Sequence, residues 1–498
     1  MKLKEELDLN IDKISLIIGF LILSSIFSLR ISKKYSLPSL LLFLGVEMLA
    51  GSEGIGGIYF DNMVIAQLIG GIALAFILFN GAFATKIDVF KEGAFEGLLL
   101  AFIGVFINTL IVGIAVYFFT SFSVLYSLLI GAIVSSTDAS AVMSLLSFGG
   151  LKLKKKVSSV LLVESGTNDP MANVIIVLLI SLIINPHFTT FEGITFLFLQ
   201  IAVGGLIGFL FAKGTIKFLK IFSIKLPEIH QLIMIAGVFL TFGLTNILKG
   251  NGYLAIYIYG LFLGNSEIPF KKISRRFFGS LSWGVEIGIF VILGLLVFPS
   301  QLFHSWKVGT FIGLTLMLFA RPLSVIITLC RSKLSIKEKL FISWGGLKGG
   351  VPIVFAILPV LANIKGAEII FPIIFYVVVI SVAIQGTTLS FAASILGIKD
   401  TESSKWVEPD LEQIEFMEEK MIKLKVKNKS SFHNKSVMDM HFKKGVLLLL
   451  IERDNHRIFP QANTKILESD SLIIFGEDQI KLDQLIEEWN SVEDQLII

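Results

Sequence analysis

The chain has 498 residues, of which 54% are hydrophobic and 16% are charged, against about 25% charged residues in soluble domains. A soluble protein of this size cannot bury so much apolar surface, because a large part of any folded surface meets water. The composition therefore indicates a polytopic membrane protein. The single cysteine, Cys330, excludes an internal disulfide bond and a cysteine metal cluster.

The net charge of +4 is divided unevenly along the chain. Residues 1–399 carry 30 Lys and Arg against 19 Asp and Glu, whereas residues 400–498 carry 13 against 20. This change predicts a transmembrane domain over 1–399, an acidic linker over 400–420 and a small cytoplasmic domain over 421–498. The basic excess of the first part lies in short loops, where it sets membrane orientation, and it requires no nucleic-acid partner.

Thirteen apolar segments in the first part can span a bilayer if some of them are tilted or broken. They lie near residues 14–30, 37–50, 64–80, 94–119, 124–148, 157–184, 193–212, 230–248, 253–265, 279–298, 309–330, 339–363 and 368–397. The loops after odd-numbered segments hold twenty-one Lys and Arg, and the loops after even-numbered segments hold three. This alternation predicts an external N-terminus and a cytoplasmic C-terminal domain, because basic loops stay in the cytoplasm.

Two of these segments contain residues that do not suit a lipid-facing helix. The fifth holds the run S-S-T-D at 135–138, and the twelfth holds G-G-L-K-G-G at 345–350, followed by Pro352. The two interruptions are seven segments apart, an odd number, so an internal duplication would place its copies in opposite orientation. Inverted repeats with discontinuous helices at a central site are the plan of secondary transporters. The predicted fold class is therefore an α-helical polytopic membrane protein with inverted repeats and two broken crossing helices, followed by a small α/β domain.

Charged side chains at bilayer depth cost about 2.5–3.5 kcal/mol each on insertion scales, so those that persist are functional candidates. They are Glu47, Asp138, Glu164, Asp169, Glu286, Arg321 and Lys348. The densest group lies in the sixth segment, where Glu164 and Asn168 share one helix face and Ser165 and Asp169 share another. A hydroxyl and a carboxylate are hard oxygen ligands that suit a small alkali cation or a proton.

Five spaced motifs stand out: V-E-S-G-T-N-D-P-M-A from residue 163, S-T-D in the preceding segment, G-L-L-V-F-P near 294, A-R-P at 320 and G-G-L-K-G-G-V-P at 345. Together they resemble the motifs of the NhaP-type cation:proton antiporters. The early segment M-L-A-G-S-E-G-I-G-G-I-Y-F-D-N is similar to the potassium/proton subgroup. The resemblance covers essentially the whole chain.

The resemblance implies that Asp169 alternately binds a proton and a cation. The implied cation and proton site comprises Asp169, Asp138, Ser165, the backbone at Thr137, and Asn168, which takes the place of a second Asp in electrogenic relatives. In a supporting charge network, Glu164 would pair with Arg321, and Lys348 would neutralise the carbonyl ends of the broken helices.

Three positions depart from the family pattern. Lys348 stands where an arginine is usual, and it keeps the charge but loses the planar guanidinium. Asn80 and Ala82 stand where relatives commonly have an acidic residue and a glycine. These departures leave the choice of ion open.

The sequence predicts an electroneutral antiporter of a bacterial cytoplasmic (inner) membrane, a homodimer in lipid, that exchanges potassium for a proton. One carboxylate that holds either ion couples the fluxes without enzymatic chemistry or a cofactor. A sodium/proton antiporter of the same family is an alternative, because Asp, Ser and carbonyl ligands accept both ions. A ligand-gated potassium channel is an alternative of another class, but the chain has no T-V-G-Y-G filter loop.

The last hundred residues change to a strand pattern. Strands are predicted at I-K-L-K-V, G-V-L-L-L-L-I-E-R, H-R-I-F-P and S-L-I-I-F-G, with a short helix around Val437 and a final helix from Asp478 to Trp489. The run from Val446 to Pro460 and the closing S-D-S-L-I-I-F-G resemble the TrkA-C domain, the C-terminal lobe of regulators of potassium conductance. The resemblance implies a regulatory module that binds a small nucleotide between paired copies, and a dimerisation module without ligand is the alternative.

Overall fold

The computed structural model describes residue 16 and residues 19–27, 39–148, 151–185, 187–221, 226–399, 421–426, 434–440, 445–453, 456–468 and 470–476. The chain divides into two compact units, Met1–Asp400 and Thr401–Ile498. The predicted linker over 400–420 and the predicted final helix lie outside the described residues.

The first unit is a bundle of apolar helices. In chain order these are α1 (19–27), α2 (Ser39–Ala50), α3 (Met63–Ala84), α4 (Ile87–Phe119), α5 (Val124–Ile133), α6 (Ala139–Phe148), α7 (Lys155–Ile184), α8 (Thr190–Ile221), α9 (Pro227–Ile247), α10 (Gly252–Gly264), α11 (Lys271–Leu295), α12 (Pro299–Thr328), α13 (Ile336–Trp344), α14 (Val351–Leu361) and α15 (Ala367–Ile395). Among the described residues, eight helices are long and apolar enough to cross a membrane. Each predicted segment coincides with a helix or a pair of helices, and the total of thirteen crossings stays a prediction.

Polar side chains define where several of these helices begin. At the start of α3, Asn62 Oδ1 accepts a hydrogen bond from the backbone N–H of Ile65 at 3.0 Å. At the start of α13, Ser335 and Glu338 form a reciprocal capping box. These contacts satisfy N–H groups that the first turn of a helix leaves without partners.

The fifth and twelfth segments are each broken into two helices, as their sequences predict. Helix α5 ends at Ile133 and α6 begins at Ala139, while α13 ends at Trp344 and α14 begins at Val351. The two breaks meet, since the backbone N–H of Asp138 donates a hydrogen bond to the carbonyl of Leu347 at 2.8 Å. Glycine permits this approach, because a Cβ atom on Gly349 would lie 2.2 Å from Asp138 Oδ2.

The second unit contains a four-stranded antiparallel sheet with the order β1-β4-β2-β3. Its strands are β1 (Met421–Lys425), β2 (Val446–Arg453), β3 (His456–Ile458) and β4 (Ser471–Gly476). One face packs over a small apolar core that includes Ile451, Leu472 and Ile474. All four strands match predicted ones, and a 3-10 turn at Val437–Asp439 takes the place of the predicted short helix.

Candidate ion-binding site

Helix α7 presents one polar face to a cavity of about 630 Å³. Ser165 and Asp169 line this cavity, whereas Glu164 and Asn168 are not among its lining residues. The other walls come from α3 and the start of α4, from the break between α5 and α6, from α10, from α11, and from α14 with the break before it. Their polar lining residues are Asn80, Thr85, Lys86, Ser136, Thr137, Asp138, Tyr257, Ser282, Trp283 and Glu286.

Asp169 is the most enclosed carboxylate of the cavity wall, with 5% of its surface exposed. Its Oδ1 accepts a hydrogen bond from the hydroxyl of Ser136, in the first helix break. Ser136 is not among the site residues predicted from the sequence. The signal for it was weak, because three hydroxyl residues precede Asp138 and only the crossing of α7 over the break selects one of them.

Ser165 holds the first break together. Its Oγ accepts a hydrogen bond from the backbone N–H of Ala139 at 3.0 Å and donates one to the carbonyl of Thr137 at 2.9 Å. The hydroxyl thus bridges the residues on both sides of Asp138. The family resemblance implies that Ser165 Oγ and Thr137 O are cation ligands. Here these two groups are hydrogen-bonded to each other, and both residues line the cavity.

Asp138 caps the second half of the broken segment. Its Oδ1 accepts a hydrogen bond from the backbone N–H of Ala141 at 3.0 Å, in the first turn of α6. A carboxylate is favourable at this position, because the N-terminal end of a helix carries unpaired N–H groups and a partial positive charge. The same carboxylate lines the cavity beside Asp169. Its place at the wall therefore follows from the break itself.

Asn168 lies behind the cavity wall. Its Nδ2 donates a hydrogen bond to Thr137 Oγ1 at 2.6 Å, and its side chain is fully buried. The family resemblance put Asn168 in the ion site together with Asp169. The structure separates the two residues, because consecutive residues on an α-helix point about 100° apart. In this geometry Asn168 supports Thr137.

Lys348 is buried in the second break, with 1% of its surface exposed. Its Nζ donates hydrogen bonds to the carbonyls of Ser136 at 2.7 Å and Ser135 at 3.3 Å. These carbonyls follow the C-terminal end of α5, where a helix carries a partial negative charge. The Lys348 amine therefore lies at the negative end of this helix.

A second polar cluster, on α15, supports the break that carries Lys348. Ser381 Oγ accepts a hydrogen bond from the backbone N–H of Lys348 at 3.2 Å and donates one to Gln385 Oε1 at 2.6 Å. The Gln385 Nε2 donates to the carbonyl of Trp344, the last residue of α13, at 3.0 Å. Gln385 lies in a π-helical turn, Val382–Gly386, and such turns are frequent at functional sites. This cluster was not predicted from the sequence, because its only signal is a Ser and a Gln four residues apart in an apolar segment.

Glu164 and Arg321 form a buried, bidentate ion pair behind the cavity. The Nη1 and Nη2 atoms of Arg321 each donate to one carboxylate oxygen of Glu164, with 2.7 Å between Nη2 and Oε2. The side chain of Arg321 is 2% exposed and that of Glu164 is 1% exposed. Gly346 makes room for the pair, since a Cβ atom there would lie 2.4 Å from Arg321 Nε. The pair joins α7 to α12 beside the second break.

Two broken helices that cross beside a buried carboxylate, inside a bundle of membrane-length helices, are the arrangement in which secondary transporters hold their ions. The fold and the site therefore define a multi-pass secondary ion transporter.

Comparisons with known proteins specify the family. The sequence model of the family described as "Sodium/hydrogen exchanger, transmembrane" matches residues 20–394, and that of the TrkA-C domain matches residues 421–487. The K(+)/H(+) antiporter NhaP of Alkalimonas amylolytica is 36% identical over 394 residues, which cover 78% of this chain and 68% of that protein. The K(+)/H(+) antiporter NhaP2 of Shewanella sp. (strain ANA-3) is 37% identical over 374 residues, which cover 74% and 64%.

The fold has a solved counterpart in the sodium proton antiporter MjNhaP1 from Methanocaldococcus jannaschii at pH 8. That structure superimposes with a TM-score of 0.66 and 25% identity, over 76% of this chain and 99% of that one. The chain belongs to the sodium/hydrogen exchanger family of cation:proton antiporters, and residues 421–487 form a TrkA-C domain. Both resemblances drawn from the motifs are confirmed, and membership of this family disfavours the channel alternative.

The buried ion pair predicts a measurable loss of stability. Arg321→Ala should lower the thermal unfolding temperature, because removing one partner of a buried pair costs about 3–5 kcal/mol by leaving the other charge unpaired. The double variant Arg321→Ala/Glu164→Gln should regain part of that loss. The measurement is thermal unfolding of the purified protein in detergent.

Lys307→Ala is the matched control, since Lys307 is an exposed cation on the same helix, and it should unfold at nearly the temperature of the unmodified protein. The single variant Glu164→Gln completes the comparison. If the double variant loses as much stability as Arg321→Ala and Glu164→Gln together, the two residues do not form a coupled pair.

Proposed function

We propose that this protein exchanges one monovalent cation, potassium in preference to sodium, for one proton across a bacterial cytoplasmic membrane. The observation that carries the proposal is the position of Asp169, a carboxylate in a cavity wall that also carries the hydroxyl groups of Ser136 and Ser165 and the carboxylate of Asp138. Potassium is proposed because the two relatives described above are named K(+)/H(+) antiporters. Sodium remains the second candidate, because the family model and the solved counterpart are named for sodium.

In the proposed cycle the Asp169 carboxylate holds either a proton or a cation. A dehydrating cation needs the negative charge of this group, and a bound proton removes that charge, so the two ligands exclude each other. The hydroxyl of Ser136 donates to the carboxylate and orients it. Asp138 and Ser165 add oxygen atoms beside it, while Lys348 stays bonded to backbone carbonyls. This competition couples the fluxes without a covalent step or a resident cofactor.

The proposed conformation is open to the cytoplasm. The cavity extends from Asp169 to Thr85 and Lys86, which follow the end of α3. The positive-inside pattern assigns this loop to the cytoplasmic side. A cytoplasmic cation can therefore reach the Asp169 carboxylate through this cavity in the proposed orientation, with the N-terminus outside.

We also propose a homodimer whose TrkA-C domains regulate transport. Support comes from the resemblance of residues 421–487 to lobes that bind small ligands between paired copies. The positive-inside pattern favours a cytoplasmic location for these residues, where a nucleotide would reach them.

The first test of the function replaces the central carboxylate. Asp169→Asn should abolish cation-driven proton flux, because the amide neither carries a proton nor offers the negative charge that a dehydrated cation needs. The measurement is dequenching of a pH-sensitive dye in vesicles containing the full-length protein, after addition of potassium or sodium. The unmodified protein should respond to potassium at lower concentrations than to sodium.

Asp88→Asn is the matched control, because Asp88 is exposed in the first turn of α4 and does not line the cavity. It should retain the full rate. A proton flux near that of the unmodified protein, in vesicles that contain folded Asp169→Asn protein, would falsify the assignment of Asp169.

Exchange of one proton for one monovalent cation moves no net charge. Clamping the membrane potential with an ionophore should therefore leave the ion gradients at which flux reverses unchanged. The measurement is the reversal point of proton flux at several imposed potentials and fixed gradients. A reversal point that moves with the potential would rule out the one-for-one scheme.

The proposed regulatory role of the C-terminal domain predicts that deletion of residues 400–498 leaves exchange measurable but changes its pH or ligand dependence. All candidate ion ligands lie before residue 399. A coupling of about 1–3 kcal/mol between a ligand of this domain and the transport domain gives roughly 5- to 150-fold modulation. The measurement compares initial rates of the full-length and truncated proteins across pH and with candidate nucleotides. Complete loss of transport in a truncated protein that still inserts would contradict a purely regulatory role.

A further inference from the structure

Glu286 differs from the other acidic residues described here because it has no hydrogen-bond or ion-pair partner within the described part of the bundle. Asp169 accepts a hydrogen bond from Ser136, Glu164 pairs with Arg321, and Glu47 accepts a hydrogen bond from Ser25. Glu286 makes neither a hydrogen bond nor an ion pair with any residue that the structure describes. It lies on α11 and lines the same cavity as Asp169. The proposed exchange cycle leaves this carboxylate without a role.

The packing of Phe290 holds helix α11 against the second break. One turn beyond it on α11, Phe290 lies so close to the second break that a Cβ atom on Gly350 would be 2.9 Å from Phe290 Cε1. Phe290 is buried, with 3% of its surface exposed. Helix α11 therefore lies against the second break at Phe290, and Glu286, one turn before Phe290, lines the same cavity as Ser165 and Asp169 of α7.

The charge of the cavity favours cations. Its walls carry the carboxylates of Asp138, Asp169 and Glu286, and in the described part of the chain Lys86 is the one basic residue among its lining residues. Lys348 does not line the cavity, because its amine donates to the carbonyls of Ser135 and Ser136. A cleft lined by one sign of charge raises the local concentration of the opposite ion. An ionisable residue at membrane depth with no protein partner is a candidate for contact with that ion.

We propose that Glu286 binds the transported alkali cation in the cavity before the cation reaches Asp169. The site takes a partly hydrated monovalent cation, with the Glu286 carboxylate as the protein ligand and water in the remaining positions. Glu286 thereby sets the cation concentration at which transport is half-saturated. The coupling of cation to proton stays with Asp169, which the broken helices surround. This inference rests on the proposed exchange and specifies how its substrate is captured.

The test compares the cation dependence of transport in Glu286→Gln, Glu286→Asp and the unmodified full-length protein. Glu286→Gln should raise the half-saturating potassium concentration roughly tenfold, the scale of one charge-assisted contact. The maximal rate at saturating potassium should stay within about twofold of the unmodified rate, because Asp169 and the helix breaks are intact. Glu286→Asp keeps the charge and should lie between the two.

Glu267→Gln is the matched control, since it makes the same substitution at an exposed residue just before α11. It should leave both kinetic constants unchanged. An unchanged half-saturating concentration in Glu286→Gln would overturn the proposal. So would a loss of maximal rate without a change in that concentration, since Glu286 would then act in the coupling step or in folding.

A binding measurement separates this inference from the proposed function. Potassium should raise the thermal unfolding temperature of the purified protein, because a ligand that binds only the folded state stabilises it. The concentration needed should rise in Glu286→Gln and not in Glu267→Gln. If the unmodified protein shows this stabilisation but no cation-driven proton flux, the exchange proposal fails and the Glu286 site stands. Equal stabilisation of the Glu286→Gln and unmodified proteins by potassium overturns the Glu286 site.

Discussion

Two helix breaks in the interior of an apolar bundle leave backbone N–H and C=O groups that must find partners there. Lipid offers no hydrogen bonds, so a broken helix is tolerated only where protein groups or water satisfy its ends. Here the carbonyls after α5 accept from Lys348, the first turn of α6 donates to Asp138 and Ser165, and the carbonyl of Trp344 accepts from Gln385. The polar residues of the site are gathered in one place because the breaks require them there.

Helix α7 carries its cavity-lining residues and its ion-paired residue on different faces. Its cavity face carries Ser165 and Asp169, and a different face carries Glu164, which is held by Arg321. A buried ion pair is weak evidence for added stability, since removing two charges from water is costly. A bidentate pair does fix an orientation, and here it sets the rotation of α7 against α12. That rotation determines which residues face the cavity.

The charged groups of the cavity and those of the helix breaks have different roles. The amine of Lys348 is occupied by backbone carbonyls, so it compensates the helix ends without entering the cavity. The carboxylates at the walls therefore act on whatever occupies the cavity. A membrane-embedded cavity with more carboxylates than basic residues in its wall favours a cation over an anion. Which cation it binds depends on how well the wall oxygen atoms replace the water molecules that hydrate the ion.

Much of this molecule was predictable from sequence because the decisive signals are local. Hydrophobic runs set the helices, the S-S-T-D and G-G-L-K-G-G runs set the two breaks, and helical spacing put Ser165 and Asp169 on one face. The four strands of the TrkA-C domain followed from short apolar runs in the same way. The tertiary structure alone decided that Ser136 is the hydroxyl that binds Asp169, that Asn168 lies behind the wall, that Gln385 caps α13 and that Glu286 faces the cavity. Each of these depends on how one helix is rotated and crossed against another that is distant in sequence, and helix periodicity fixes relative faces within a helix but not the contacts between helices.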